Sequence, residues 1–247
     1  MALFEAEKLH KRFGDRVVLE EVSLAFPEGS LTGIMGPNGA GKTTCFNVLT
    51  GRFAPDRGRV RFEGRDVTGL PPRRMAALGV ARSFQMMNLF DQVSARENVM
   101  LALPAMRARG FDWRRDAMGD PGLVDAALAT LERVGLADKA EVRARDLSYG
   151  DRRALEIAVA LGSGPRILFL DEPTSGLGAD GTARLADLVA RLKGAVTMVL
   201  IEHDMRFLFA LADRIAVIHW GQVIAEGTPD DLRADPWVAR SALGREA

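Results

Sequence analysis

The chain has 247 residues, enough for one large domain or two small ones. Hydrophobic residues make up 47%, which suits a packed globular core. The 33 Lys plus Arg balance 33 Asp plus Glu to a formal net charge of zero, which excludes a protein held on nucleic acid by bulk charge. No apolar run approaches the ~18 residues that a membrane span needs. The first residues lack the charged-then-apolar order of a signal peptide, so the expectation is a protein made and kept in the cytosol. The single cysteine, Cys45, cannot form an intrachain disulfide and fits a reducing compartment. It reads as a small buried side chain rather than a redox group.

In chain order, residues 3–9 and 16–26 alternate apolar and polar around Gly14-Asp15 and predict an antiparallel hairpin. Residues 31–35 read as a buried strand, followed by a helical pattern with Phe46, Val48 and Leu49. Residues 59–63 predict a further strand of the hairpin's sheet. Pro71-Pro72 opens a short helix ending near Gly79, and residues 80–84 are another strand. Helical patterns follow at 95–109 and 122–134, with a polar loop at 110–121 between them. A third helix runs from Ser148 to about Gly162. Residues 167–170 and 196–201 are continuous apolar runs of the kind found in a parallel sheet buried on both faces. A helix from about Asp180 to Leu192 joins them. Another helix from Met205 leads to a strand at 215–218. The last strand is 223–225, with helices beyond Pro229 and Pro236. Strands alternating with helices imply right-handed βαβ units and a doubly wound parallel sheet. The all-helical block from about 88 to 160 interrupts it.

Three motifs carry chemistry. Gly36-Pro37-Asn38-Gly39-Ala40-Gly41-Lys42-Thr43-Thr44 fits G-x-x-x-x-G-K-[ST], the phosphate-binding P-loop, between a strand and a helix. Glycines let backbone N–H groups turn inward around a phosphate chain, and the helix N-terminus adds positive field. Lys42 would reach the β- and γ-phosphates and Thr43 would hold Mg²⁺. Asp171 and Glu172 close the strand at 167–170, where α/β sheets bind ligands. Asp171 fits the Walker B role, holding Mg²⁺ through water. Glu172 fits the general base for an attacking water, and the bland alternative is a solvated turn before Pro173. Leu147-Ser148-Tyr149-Gly150-Asp151 spaces Ser148 and Asp151 as a capping box at a helix start. That helix end is either only a helix start or an anion-facing terminus.

With these residues in place, the chain resembles the ATP-binding cassette family over nearly all of its length. Leu147 to Asp151 is similar to that family's signature, usually Leu-Ser-Gly-Gly-Gln. The resemblance implies roles for three further residues. Gln85, after Phe84, matches the Q-loop glutamine, a Mg²⁺ ligand and link to the membrane partner. His203, in Ile201-Glu202-His203-Asp204, matches the switch histidine at the γ-phosphate. Phe13 falls at the position that stacks on adenine. Two departures stand out. Tyr149 and Asp151 replace a signature glycine and its glutamine. The D-loop, commonly Ser-Ala-Leu-Asp, reads Ser175-Gly176-Leu177-Gly178. Ser148 and Gly150, implied to touch an opposing γ-phosphate, remain.

Residues 79–85, Asn88-Leu89-Phe90, Glu97-Asn98-Val99, Arg152-Arg153 with 155–158, 201–205 and 223–229 look like the ATPases of branched-chain amino acid importers. The implied fold is α/β: a P-loop NTPase parallel-sheet core with an antiparallel β subdomain and an inserted α-helical subdomain. One nucleotide-binding domain would cover 1–247, with the core and β subdomain at about 1–87 and 161–247 and the helical subdomain at about 88–160. The implied function is the ATP-binding and ATP-hydrolysing subunit of a multi-subunit importer on the inner face of the cell membrane. The implied cofactors are ATP and Mg²⁺. The implied partners are a second ATPase subunit, identical or different, paired head to tail, then transmembrane permease subunits and, indirectly, a solute-binding protein; no nucleic acid is expected. Met86, Met87, Leu89 and Phe90 are an apolar patch that would relay the cycle to a permease helix, or ordinary core. The competing readings are a soluble cassette ATPase of DNA repair or translation and a P-loop kinase or GTPase. Neither has its usual marks here: no tandem cassette, coiled-coil or zinc insertion, and no guanine motif.

Overall fold

Apolar side chains at alternate positions need a sheet that buries one face. The structure, a computed structural model, describes residues 2–83, 89–108 and 118–235. β1 (Ala2–Phe13) and β2 (Arg16–Pro27) form the antiparallel hairpin, pairing Phe4 with Phe26 and Phe13 with Arg16. Both strands run longer than the alternation suggests. Bulges at Lys8 (φ +46) and Glu21 (φ +53) break the period of two, and the ladder resumes beyond them.

β3 (Leu31–Met35) leads through the glycine-rich loop into α1 (Lys42–Leu49). β4 (Arg57–Phe62) pairs with β1, and β5 (Arg65–Asp66) follows it across a turn at Glu63-Gly64. This strand begins two residues before 59–63 and stops at Phe62 because Glu63 (φ +52) has left the extended region. α2 (Pro72–Ala77) precedes β6 (Val80–Arg82).

The expected helix at 95–109 is two. α3 (Ala95–Ala102) ends at Leu103, which is extended (ψ 136) ahead of Pro104, and α4 (Pro104–Ala108) restarts there. The ring of Pro104 disfavours a helical Leu103, which accounts for the break. α5 (Pro121–Arg133) and α6 (Tyr149–Gly162) complete the helical block and pack with α3. β7 (Ile167–Asp171), α7 (Ala179–Leu192), β8 (Thr197–Ile201), α8 (Met205–Leu211) and β9 (Arg214–His219) follow as alternating units. β10 (Gln222–Gly227) and α9 (Pro229–Ala234) close the described chain. The helix expected beyond Pro236 and the loop at 110–117 lie outside the described residues.

The described strands make two sheets, ordered β2-β1-β4-β5 and β10-β9-β3-β8-β7-β6. In the second, β9, β3, β8, β7 and β6 are parallel, and β10 is antiparallel to β9. Only Trp220 and Gly221, both with positive φ, lie between β9 and β10, too few residues for a crossover. Both faces of the parallel sheet are covered. Leu168 and Leu170 of β7 join the helical core, and Ile167 and Phe169 join the core under the antiparallel sheet. Phe169 meets Phe4 at 5.5 Å, Phe46 at 5.4 Å and Phe26 at 6.2 Å, all edge to face. One ring thus ties the hairpin, the P-loop helix and the parallel sheet together.

Candidate functional site

The loop after β3 is shaped by two glycines whose neighbours leave no room for a side chain. Gly36 (φ +150) would put a Cβ 2.0 Å from the Ile218 carbonyl oxygen, and Gly41 (φ +102) would put one 2.7 Å from that of Val18. The β9–β10 turn supports the loop from behind, with the Gly221 N–H donating to the Ala40 carbonyl. Lys42 is buried, and its Nζ donates to the carbonyls of Gly36 (2.7 Å) and Pro37 (3.0 Å). Burial pulls its pKa below the ordinary lysine range, while Glu172 and Asp171 pull upward.

The cleft above this loop has a volume of about 330 Å³. Asn38, Gly39, Ala40, Gly41, Lys42, Thr43 and Thr44 line it with Glu172 and His203. Arg16 and Val18 line it too, and nothing in the sequence marked them. They come from β2, which reaches the cleft only because the hairpin packs against the turn at Gly221. Phe13 is not part of the lining. It stands half-exposed at the end of β1, edge-on to Phe53 at 5.3 Å, with Lys11 Nζ 5.5 Å from its ring.

Asp171 ends β7, fully buried, opposite Ile201 of β8. Its Oδ2 accepts from Arg82 Nη2 at 3.2 Å. Arg82 also donates to Asn47 Oδ1 and Thr50 Oγ1 and lies over the Phe46 ring at 4.6 Å. Nothing in the sequence motifs assigns Arg82 a role. The available signal was a lone cation in the otherwise apolar start of the strand at 80–84, because a buried carboxylate needs a counter-charge. Burial raises the Asp171 pKa, with Arg82 opposing. Its Oδ1 is buried and has no hydrogen-bond partner among the described residues.

Glu172 follows at φ +46, an unusual conformation for a non-glycine and the sort of strain that functional sites store. Its N–H donates to the Ile201 carbonyl. Its Oε1 lies 2.8 Å from His203 Nε2. The parallel pairing of β7 with β8 brings the two together, since each follows the carboxyl end of its strand.

A hard dication fits the oxygens present here. Asp171 offers an unpartnered acceptor, and Thr43 offers a hydroxyl at the start of α1. Among the described residues no group of three or more His, Cys, Asp or Glu could form an all-protein cage. Gln85 lies outside the described residues.

Ser148 and Gly150 are not in the cleft lining; they sit at the N-terminus of α6. The capping box expected there is only half formed. Ser148 Oγ accepts from the Asp151 N–H at 3.2 Å, but the Asp151 carboxylate takes the Ser148 hydroxyl (2.6 Å) and Lys139 Nζ (2.8 Å), not the Ser148 N–H. Complete boxes occur instead at Ser94–Glu97 and Thr228–Asp231.

The sequence profile described as ABC transporter matches residues 19–175. The chain belongs to the ABC transporter family. It is 38% identical to the high-affinity branched-chain amino acid transport ATP-binding protein LivG of Salmonella typhimurium, over 98% of each chain. BraF of Pseudomonas aeruginosa, with the same description, is also 38% identical over 98% of each. Among solved structures, the ADP conformation of MJ1267, an ATP-binding cassette of an ABC transporter, superposes with a TM-score of 0.87 at 30% identity, covering 99% of both chains. The fold is the ABC ATPase fold, and the chain is an ATP-hydrolysing transporter ATPase of that family. No helix among the described residues is long and apolar enough to cross a membrane.

Proposed function

We propose that this chain is the subunit that binds and hydrolyses ATP to power a multi-subunit importer of branched-chain or related amino acids. The contact between Glu172 and His203, at the rim of a cleft built on the P-loop, carries the catalytic half of this reading. The end-to-end likeness to LivG and BraF supports the transport half.

In this reading the backbone N–H groups of 38–44 and the Lys42 ammonium hold the phosphates. Thr43, Asp171 and Gln85 hold Mg²⁺, which when bound neutralises charge on the phosphate oxygens. Glu172 takes a proton from the attacking water. His203 orients Glu172 and contacts the γ-phosphate. Phe13 stacks on adenine. Ser148 and Gly150 serve the ATP of a second ATPase subunit, as the resemblance to the family implies, and two chains pair head to tail around two nucleotides. A solved relative, the dimeric post-hydrolysis state of the cassette MJ0796 bound to ADP and Pi, supports pairing as a family habit. Permease subunits and a solute-binding protein complete the assembly at the inner face of the membrane.

The chain is also 33% identical to the lipopolysaccharide export protein LptB of Acidithiobacillus ferridurans. Cassettes this similar serve different cargoes, so the test must read partners. The Glu172→Gln form, with ATP and Mg²⁺, is used to isolate partners from native membranes. Permease subunits, a second ATPase and a solute-binding protein are expected, and the solute carried by that binding protein names the substrate. Recovery of only ribosomes or repair factors would overturn the importer and favour a soluble cassette ATPase.

A further inference from the structure

The two departures from the family pattern meet in space. Tyr149, where the signature has glycine, donates its hydroxyl to the Ser175 carbonyl at 3.0 Å. The neighbour of Ser175 is Gly176 (φ +77), and a Cβ there would lie 2.8 Å from the Tyr149 oxygen and 3.1 Å from its ring. An alanine at the second D-loop position would therefore collide with the tyrosine. Tyr149 and Gly176 form one fitted contact between the α6 N-terminus and the loop that follows Glu172.

The other side of that loop is held by a buried carboxylate that the proposed chemistry does not use. Glu202 is 2% exposed. Its Oε1 accepts from the Thr174 N–H at 2.8 Å, and its Oε2 accepts from the Thr174 hydroxyl at 2.9 Å and the His203 N–H at 3.2 Å. Loop 173–178 is thus held by Tyr149 at Ser175 and by Glu202 at Thr174. The same Glu202 oxygen that holds Thr174 also holds the backbone of His203, whose ring contacts Glu172.

We propose that Tyr149 and Glu202 are positioning residues that clamp loop 173–178 and join each chain's α6 N-terminus to its own Glu172–His203 pair. This rests on the function proposed above. There, α6 faces the partner's ATP, and the clamp lets occupancy of one site set the geometry of the base in the other. Tyr149→Phe keeps the ring on Gly176 and deletes only the donor. Glu202→Gln keeps the shape and turns one acceptor into a donor facing donors.

The test is a double-mutant cycle on the full chain, reading kcat, KM for ATP and Tm. Each single change is expected to lower kcat at least about tenfold, since small misplacements near the reacting atoms are costly, while KM holds; Tm holds in Tyr149→Phe and falls in Glu202→Gln, whose new donor faces donors in a buried site. The double variant is expected to lose no more than the weaker single, because the two act as one unit. Unchanged kcat in either single, or losses that multiply, would overturn the clamp. Should Glu202→Gln not fold, Thr174→Val removes the hydroxyl donor from the same clamp and takes its place in the cycle. Glu172→Gln is the reference. If it hydrolyses as fast as the unaltered chain, the proposed function fails. If only the clamp variants are silent, this inference fails alone.

Discussion

Backbone and side chain together set Glu172 apart from an ordinary surface carboxylate. Glu172 opens the turn after β7 at φ +46, its carbonyl accepting from the Ser175 N–H, and its side chain reaches a histidine 31 positions away. A general base contributes ~10²–10⁴ in rate. Glu172→Gln is therefore expected to lower kcat by about that factor while ATP still binds, measured by steady-state hydrolysis beside a nucleotide-binding titration. Equal loss of both would remove Glu172 from the base role. Cys45 shows the opposite outcome, a reactive atom put out of use. It is fully buried on α1, and burial pushes its thiol up to about 12 from 9.0. The folded chain then keeps that proton where the unfolded chain has lost it. Cys45 thus contributes stability that is complete below pH 9 and is lost as pH rises toward 12. An alkylating reagent at pH 8 is expected to label Cys45 only on unfolding, read by mass spectrometry along a urea titration. Fast native labelling would contradict the packing.

Helix ends and loop anchors decide how single elements present their side chains. Ser94 caps α3 in a complete box with Glu97, and Asn98 one turn on is buried. Asn98 Oδ1 accepts from the Phe90 N–H at 2.8 Å, and its Nδ2 donates to the Phe90 carbonyl at 3.1 Å. The Phe90 backbone is therefore fixed while the residue as a whole is 62% exposed. Glu97-Asn98-Val99, noted in the sequence only for its resemblance, has this structural content: a cap, a clamp and a core residue. Ser94→Ala is expected to cost about 1 kcal/mol and to lower Tm by roughly 2–4 °C for a chain of this size, as calorimetry would detect. Leu89, beside Phe90, packs on the helical core instead. The apolar patch read from the sequence thus divides between core and surface among its described members, and Met86 and Met87 lie outside them.

For the whole molecule, Phe169 is where the two sheets and the P-loop helix share one core. Phe169→Ala is expected to cost about 3–5 kcal/mol, a large part of the ~5–15 kcal/mol that holds a typical domain folded. A lower urea midpoint with an unchanged slope would register it. Transport also belongs to this scale. Phe90→Asp is expected to uncouple solute uptake from hydrolysis in reconstituted vesicles while sparing ATP binding. Parallel loss of both would assign Phe90 to folding instead of relay.

The local pieces are legible in the order of the amino acids. Period-two alternation marked β1 and β2, continuous apolar runs marked β7 and β8, and the glycines and Lys42 marked the phosphate loop. These are legible because each depends on neighbours within a few residues: backbone sterics at Gly36 and Gly41, or the side-chain direction along one strand. What those pieces face depends on long-range packing. Arg82 meets Asp171 across 89 positions, Tyr149 meets Ser175 across 26, and Arg16 and Val18 enter the cleft from the other sheet. The strand order β10-β9-β3-β8-β7-β6 sets the strand neighbours among them. No periodicity encodes that order, because it is fixed by how two buried faces close over one another.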